Sequence, residues 1–217
     1  MHKYKLLITS SMITDMLPIY ILNNTVHLEY DYYNTKNFNK ILSIIENYIS
    51  NHTDYIFNSV GIMFHSTEKH TIQLFKSDTV KSMVNDEINK FSDLIKFFKQ
   101  LKIITRCSQI DLISGNTIDS VNNLILNQLE LKSKLTICAS TTNTGKLGNW
   151  ILEKGNINLT KKYFTNKIIQ SEINLGITVY SFDTNTIIVI GTTIQDNIRI
   201  SISTSSQYFL YSKWFYN

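Results

Sequence analysis

Val60-Gly-Ile-Met-Phe-His65 and Ile110-Asp-Leu-Ile-Ser-Gly-Asn116 are the stretches on which the fold turns: each is a short apolar run that stops abruptly on polar or turn-forming residues. Near-continuous apolar runs of this length, with β-branched residues inside them, mark strands covered on both faces. Working outward, Lys5 to Thr9 reads as a first strand, Thr25 to Tyr30 as a second with Val26, Leu28 and Tyr30 alternating, and Leu135 to Ala139 as a fifth. Between them lie helix-like segments. Residues 37–49 place Phe38, Ile41, Leu42, Ile45 and Ile49 on one face, and a segment from Asp78 or Thr79 to about Leu101 does the same with Val80, Met83, Val84, Ile88, Phe91, Leu94, Ile95 and Phe98. Residues 118–131, with Val121, Leu124, Ile125 and Leu129 inward, supply a third helix, and Thr71 to Phe75 reads as a short extra strand. Strands alternating with helices predict an α/β fold with a mainly parallel sheet and helices on both faces. In such a sheet His65, the Ser114-Gly115-Asn116 turn and Ser140 to Thr144 fall along the carboxyl edge, where sites form.

The chain has 217 residues, 43% of them hydrophobic, enough for one large domain with an appendage. No apolar stretch approaches the roughly 20 residues that cross a bilayer, and the N-terminus lacks a signal-peptide core, so membrane insertion and signal-directed secretion are not expected. Cys107 and Cys138 are the only cysteines and read as core thiols in a reducing compartment. The net charge of +4 comes from nineteen lysines and two arginines, Arg106 and Arg199, and the lysines are scattered apart from the pair Lys161-Lys162. This reads as a solvated surface and not as a nucleic-acid interface. A single Pro18 with abundant Ile, Asn and Lys reflects A- and T-rich codons, as in some large DNA viruses, protists and low-GC bacteria.

After Gly155 the pattern changes. Ile177 to Phe182, Thr186 to Ile190 and Ile198 to Ser203 predict an antiparallel meander, giving an expected division into residues 1–165 and a β-rich C-terminal extension, 166–217, packed on it. The tail concentrates Tyr208, Phe209, Leu210, Tyr211, Trp214, Phe215 and Tyr216, side chains favoured at the centres of protein interfaces.

Leu135-Thr-Ile-Cys-Ala-Ser-Thr-Thr-Asn-Thr-Gly145 followed by Leu147-Gly-Asn-Trp-Ile-Leu-Glu153 resembles a domain of unknown function found near the N-terminus of large bacterial adhesin-like surface proteins. Leu7-Ile-Thr-Ser-Ser11, Ile62-Met-Phe-His-Ser66 and Ile72-Gln-Leu74 fit the same pattern in the same order, so the resemblance runs from Lys5 to about Thr165. That family looks like a distant relative of the caspase and gingipain fold, a three-layer sandwich in which a His after one strand faces a Cys after the next. The resemblance implies that His65 occupies the base position and that Ser114-Gly115-Asn116 replaces Gly-Cys-Asn, so Gly115 stands where the nucleophile belongs. His65, Ser114, Gly115 and Asn116 are therefore candidates for a vestigial site, with no catalytic residue among them.

Other chemistry is thinner. Cys138, one strand beyond Gly115, would hold its sulfur on the order of 10 Å from His65, and Ser114 lacks an evident third group to orient His65. His65 and His70 with Glu68 between them lack a third metal ligand, and Gly145-Lys-Leu-Gly148 lacks the spacing of a phosphate loop. No cofactor or metal is expected. The leading expectation is a pseudoenzyme: a catalytically inactive caspase-like domain acting as a structural or assembly protein, a virion component of an A+T-rich large DNA virus, located in the virion or cytoplasm. Its expected partners are other proteins, capsid proteins or further copies of itself. The alternatives are a peptidase-like or self-processing hydrolase using Ser114 and His65, and a soluble peptide-binding adaptor.

Overall fold

The computed structural model describes residues 2–13, 17–65, 72–76, 92–146, 148–175, 178–183 and 186–190, with His2, Ile125 and the last two segments described by backbone only. Five strands form one parallel sheet: β1 (His2–Ser10), β2 (Thr25–Tyr30), β3 (Tyr55–Met63), β4 (Gln109–Ile113) and β5 (Thr136–Ala139). Their order is β2-β1-β3-β4-β5, a doubly wound arrangement. β3 begins five residues before the apolar run at Val60, because Tyr55 to Ser59 pair with the start of β1. The expected parallel sheet is therefore present.

Side chains alternate across it, apart from a register shift in the β1–β3 pairing between Tyr4 and Lys5. Leu6, Ile8, Val60, Ile62, Ile110, Leu112 and Ile137 face one layer, formed by α1 (Phe38–Ser50), α2 (Ser92–Thr105) and α3 (Leu124–Ser133). Asn37 caps α1 by accepting from Lys40 N, and Phe38 stacks on Phe97 with ring centroids 4.9 Å apart. The opposite face, with Leu7, Met63, Ile113 and Cys138, is covered by shorter pieces. These are a 3-10 turn at Pro18–Tyr20, the two-residue strands β6 (Ile151–Leu152) and β7 (Ile157–Asn158), the single-turn helix α4 (Leu159–Lys162), and a 3-10 turn at Asn166–Gln170. Helical turns thus cover both faces, but among the described residues every long helix lies on one.

Three local expectations change. Residues 72–76 are not a strand: Ile72 and Leu74 are buried as coil, fastened where Tyr30 Oη donates to Leu74 O and Lys76 N to Tyr32 O. The third helix begins at Leu124 instead of Ile118, because Asn123 accepts from Leu126 N and makes itself the N-cap. That shift buries Leu126 and Leu129 and leaves Val121 and Leu124 exposed. α2 continues to Thr105, past the expected end at Leu101, while its predicted first half, including Val80 to Phe91, lies outside the described residues.

β8 (Thr178–Asp183) and β9 (Thr186–Ile190) form a separate antiparallel pair, two of the three strands expected of the meander. The third, and the aromatic tail from Tyr208 to Tyr216, lie outside the described residues.

Candidate functional site

The carboxyl edge brings together the residues that the sequence singles out. Phe64 N donates to Ile113 O at 3.1 Å, so His65 and Ser114 are the next residues on neighbouring strands. Both are buried, Ser114 completely. The Ser114 carbonyl accepts from Thr144 Oγ1 at 3.0 Å and from Thr117 Oγ1 at 3.3 Å. Gly115 N donates to Leu175 O, and Asn116, in the left-handed region at φ 50°, donates its N–H to Thr142 O and its side-chain amide to Asn143 Oδ1. Ile118 N donates to Ser140 O, which completes the fastening of the turn to the segment after β5.

A second strap closes over this one. Leu175 N donates to Thr144 O and Lys146 N to Ile173 O, drawing residues 173–175 across the strand ends. The approach requires glycine at 145: φ is +117°, and a Cβ there would meet Ile173 O at 2.3 Å. The Gly115 amide, of the kind an acyl-transfer site would keep aimed at an oxyanion, is thus occupied by Leu175.

The motif around Trp150 explains how the loop stays in place. Trp150 is buried edge-on against Phe164, ring centroids 5.6 Å apart, and its carbonyl accepts from Leu159 N. Glu153 accepts from Ser140 Oγ and Thr141 N at 2.9 Å each, from Thr142 Oγ1 at 2.6 Å and from Asn149 Nδ2 at 3.2 Å. Burial pushes its carboxyl upward, but the bonds from Thr142, Thr141 and Asn149 together outweigh burial and hold it below the ordinary carboxylate value. The Asn149-Trp150-Ile-Leu-Glu153 motif is a structural clasp on the Ser140 to Thr144 loop.

On the same face, toward the amino ends of the strands, lies a cluster that sequence reasoning missed. Lys5, Ser59, Gln109 and Asp111 share the face with Leu7 and Cys138, as the pairing of Lys5 with Ser59 and of Asp111 with Gly61 and Cys138 dictates. Asp111 is fully buried. Its carboxylate accepts from Tyr163 Oη at 2.6 Å and Gln109 Nε2 at 2.7 Å, and pairs with Lys162 Nζ at 2.5 Å. Gly61 makes room for this: a Cβ there would meet the Tyr163 ring and Ile113 Cδ1, each at 3.0 Å.

The signal for this cluster was present but split. An aspartate interrupts the apolar strand Ile110-Asp-Leu-Ile113, and Lys162 belongs to the basic pair read as solvated surface. Lys162 is instead largely buried, with its side chain 19% exposed.

These groups bind and brace; they are poorly suited to react. Burial, reinforced by the Asp111 charge, holds the Tyr163 phenol well above its ordinary value, so it remains a neutral donor. Burial pushes the Cys138 thiol up to about 12, with Asp111 adding to the effect, and burial raises Cys107 as well. Neither thiol supplies a thiolate near neutral pH. Among the described residues no group of three or more His, Cys, Asp or Glu could hold a metal ion, and no helix is long and apolar enough to cross a membrane. His70, Glu68 and the tail residues Tyr208, Phe209, Tyr211, Trp214, Phe215 and Tyr216 lie outside the described residues. No family model, curated protein or solved structure matches the chain.

Proposed function

We propose that this chain is a catalytically inactive α/β domain, related to the caspase-like peptidases through its resemblance to the adhesin-associated family, and that it works as a structural or assembly protein. The observation that carries this reading is the state of the carboxyl edge. Glycine occupies the nucleophile position, Ser114 has no exposed surface, and Gly115 N is spent on Leu175. A hydrolase needs a nucleophile within reach of substrate and free donors for the developing oxyanion. The same closure disfavours peptide binding along this edge. The docking role falls to the aromatic tail from Tyr208 to Tyr216, whose composition suits capsid proteins or further copies of the chain. The A- and T-rich codon signature favours a virion of a large DNA virus as the setting.

Intact-mass analysis after treatment of the native protein with a fluorophosphonate and a thiol-directed probe should show no adduct at Ser114 or Cys138. Labelling of Ser114 that disappears in His65→Ala would overturn the reading. Deleting Trp214 to Asn217 should weaken self-association or co-fractionation with source particles while leaving a folded domain. Unchanged association would remove the tail from the proposal.

A further inference from the structure

We propose that the hollow between the amino-terminal halves of β1, β3 and β4 and the β7–α4 segment is a binding site for the phosphoryl group of a small phosphate ester. The site lies at the opposite end of the sheet from the closed edge and does not depend on the structural role proposed above. The hollow measures about 460 Å³ and is lined by Lys5, Ser59, Gln109, Asn158, Lys161 and Lys162, among others. A second hollow of about 470 Å³ shares Lys5 and Lys161 and continues past Asn23 and Asn24. Among the described residues no carboxylate lines either one. The carboxylate that their lysines meet is Asp111, buried and held by Lys162 and Tyr163. Three ammonium groups against that one carboxylate leave a net charge of two positive, which matches a phosphate monoester, at about −1.5 to −2 near pH 7.

The placement of the charges distinguishes this hollow from a scatter of surface lysines. Lys5 rises from β1 and is half-buried, with Asn24 Oδ1 accepting from its Nζ at 3.2 Å. Burial first, and the Lys162 ammonium second, hold Lys5 below its ordinary value. Two cations are therefore held close enough to repel, and an anion between them relieves that repulsion. Lys161 approaches the hollow from the one-turn helix α4 and is exposed. Point charges converging from separate elements suit a tetrahedral phosphoryl group, whereas a planar carboxylate is better matched by the guanidinium fork, which the hollow lacks. The hollow falls within the size range of small-molecule sites. Gln109 and Asn158 amides at its rim offer donors and acceptors to the ester's hydroxyl groups.

Isothermal titration of the full chain with inorganic phosphate and with ribose 5-phosphate, at matched ionic strength and with acetate as control, tests the site. Saturable binding of both phosphates is expected, tighter for the sugar phosphate. Affinity should fall roughly tenfold in each of Lys5→Gln and Lys161→Gln, as for loss of one charge-assisted hydrogen bond, and be unchanged in Lys96→Gln. Circular dichroism and ligand-free melting temperatures verify that the variants are folded, and Lys161→Gln, exposed in the structure, supplies the test if Lys5→Gln is not. The proposal is overturned by absence of saturable binding, by an equal response to acetate, or by affinity unchanged in folded Lys161→Gln.

Discussion

The two ends of one sheet face are covered in different ways. At the carboxyl ends of β3, β4 and β5, where ligands of doubly wound folds are normally received, the polar residues His65 and Ser114 are buried and Asn116 is half-buried, and the backbone there is spent on Thr142, Thr144 and Leu175. Toward the amino ends, Lys5, Lys161 and Lys162 line an open hollow over a buried carboxylate. Both regions are polar and both are positioned by the same strands. The segment 146–175 makes the difference: it crosses the carboxyl edge as backbone hydrogen bonds and meets the amino end with side chains. A sheet end becomes a site only if the covering layer leaves it donors and room, whatever residues its strands supply.

Substitutions that break this asymmetry have graded effects. Trp150→Ala, which undoes the clasp at the closed end, should destabilise by roughly 3 to 5 kcal/mol in urea denaturation, as expected for a buried indole. A wild-type midpoint would mean that the clasp is dispensable. Asp111→Ala, which strands the Lys162 ammonium at the open end and leaves the Tyr163 hydroxyl only Ser59 Oγ, should cost about 3 kcal/mol, the low end for breaking a buried pair because Lys162 retains some exposure. If the loss is below that of Ser114→Ala, the cluster does not join the covering layer to the sheet.

Glu153→Gln should cost about 1 to 2 kcal/mol, kept modest because the carboxylate is partly solvated. Because the folded carboxyl lies below its ordinary value, its contribution is complete above the ordinary carboxylate range and is lost as pH falls through the folded value. Melting curves of wild type and Glu153→Gln should therefore converge toward acid, and a gap constant down to pH 2 would contradict the clasp's electrostatics. Ser114→Ala is expected to matter least, about 1 kcal/mol or less with partner binding intact. A larger functional loss would show that the closed end still works.

Legibility in the sequence followed the range of the interactions. β2 and α1 were readable almost to the residue, since alternation in Thr25–Tyr30 and the three-and-four spacing after Asn37 are local records of burial. The start of the third helix was not, because a single side-chain bond, Asn123 to Leu126 N, outweighed the apolar residues at Ile118 and Val121. The strand-end candidates were correctly gathered on one edge, but their burial depended on residues 173–175, far along the chain.

By itself the sequence determined the alternating strands and helices, the parallel sheet, the Ser114-Gly115-Asn116 turn at a strand end and the two thiols inside the core. Each is written in hydrophobic periodicity or residue identity and needs no knowledge of distant neighbours. Only the tertiary structure decided that α1, α2 and α3 gather on one face, that the Trp150 motif clasps a loop, and that Asp111 meets Tyr163 and Lys162. Those outcomes depend on register and on which segment covers which face. A buried aspartate shows in sequence as one interruption of an apolar strand, while Tyr163 and Lys162, about fifty residues away, are brought to it by packing that no local pattern encodes.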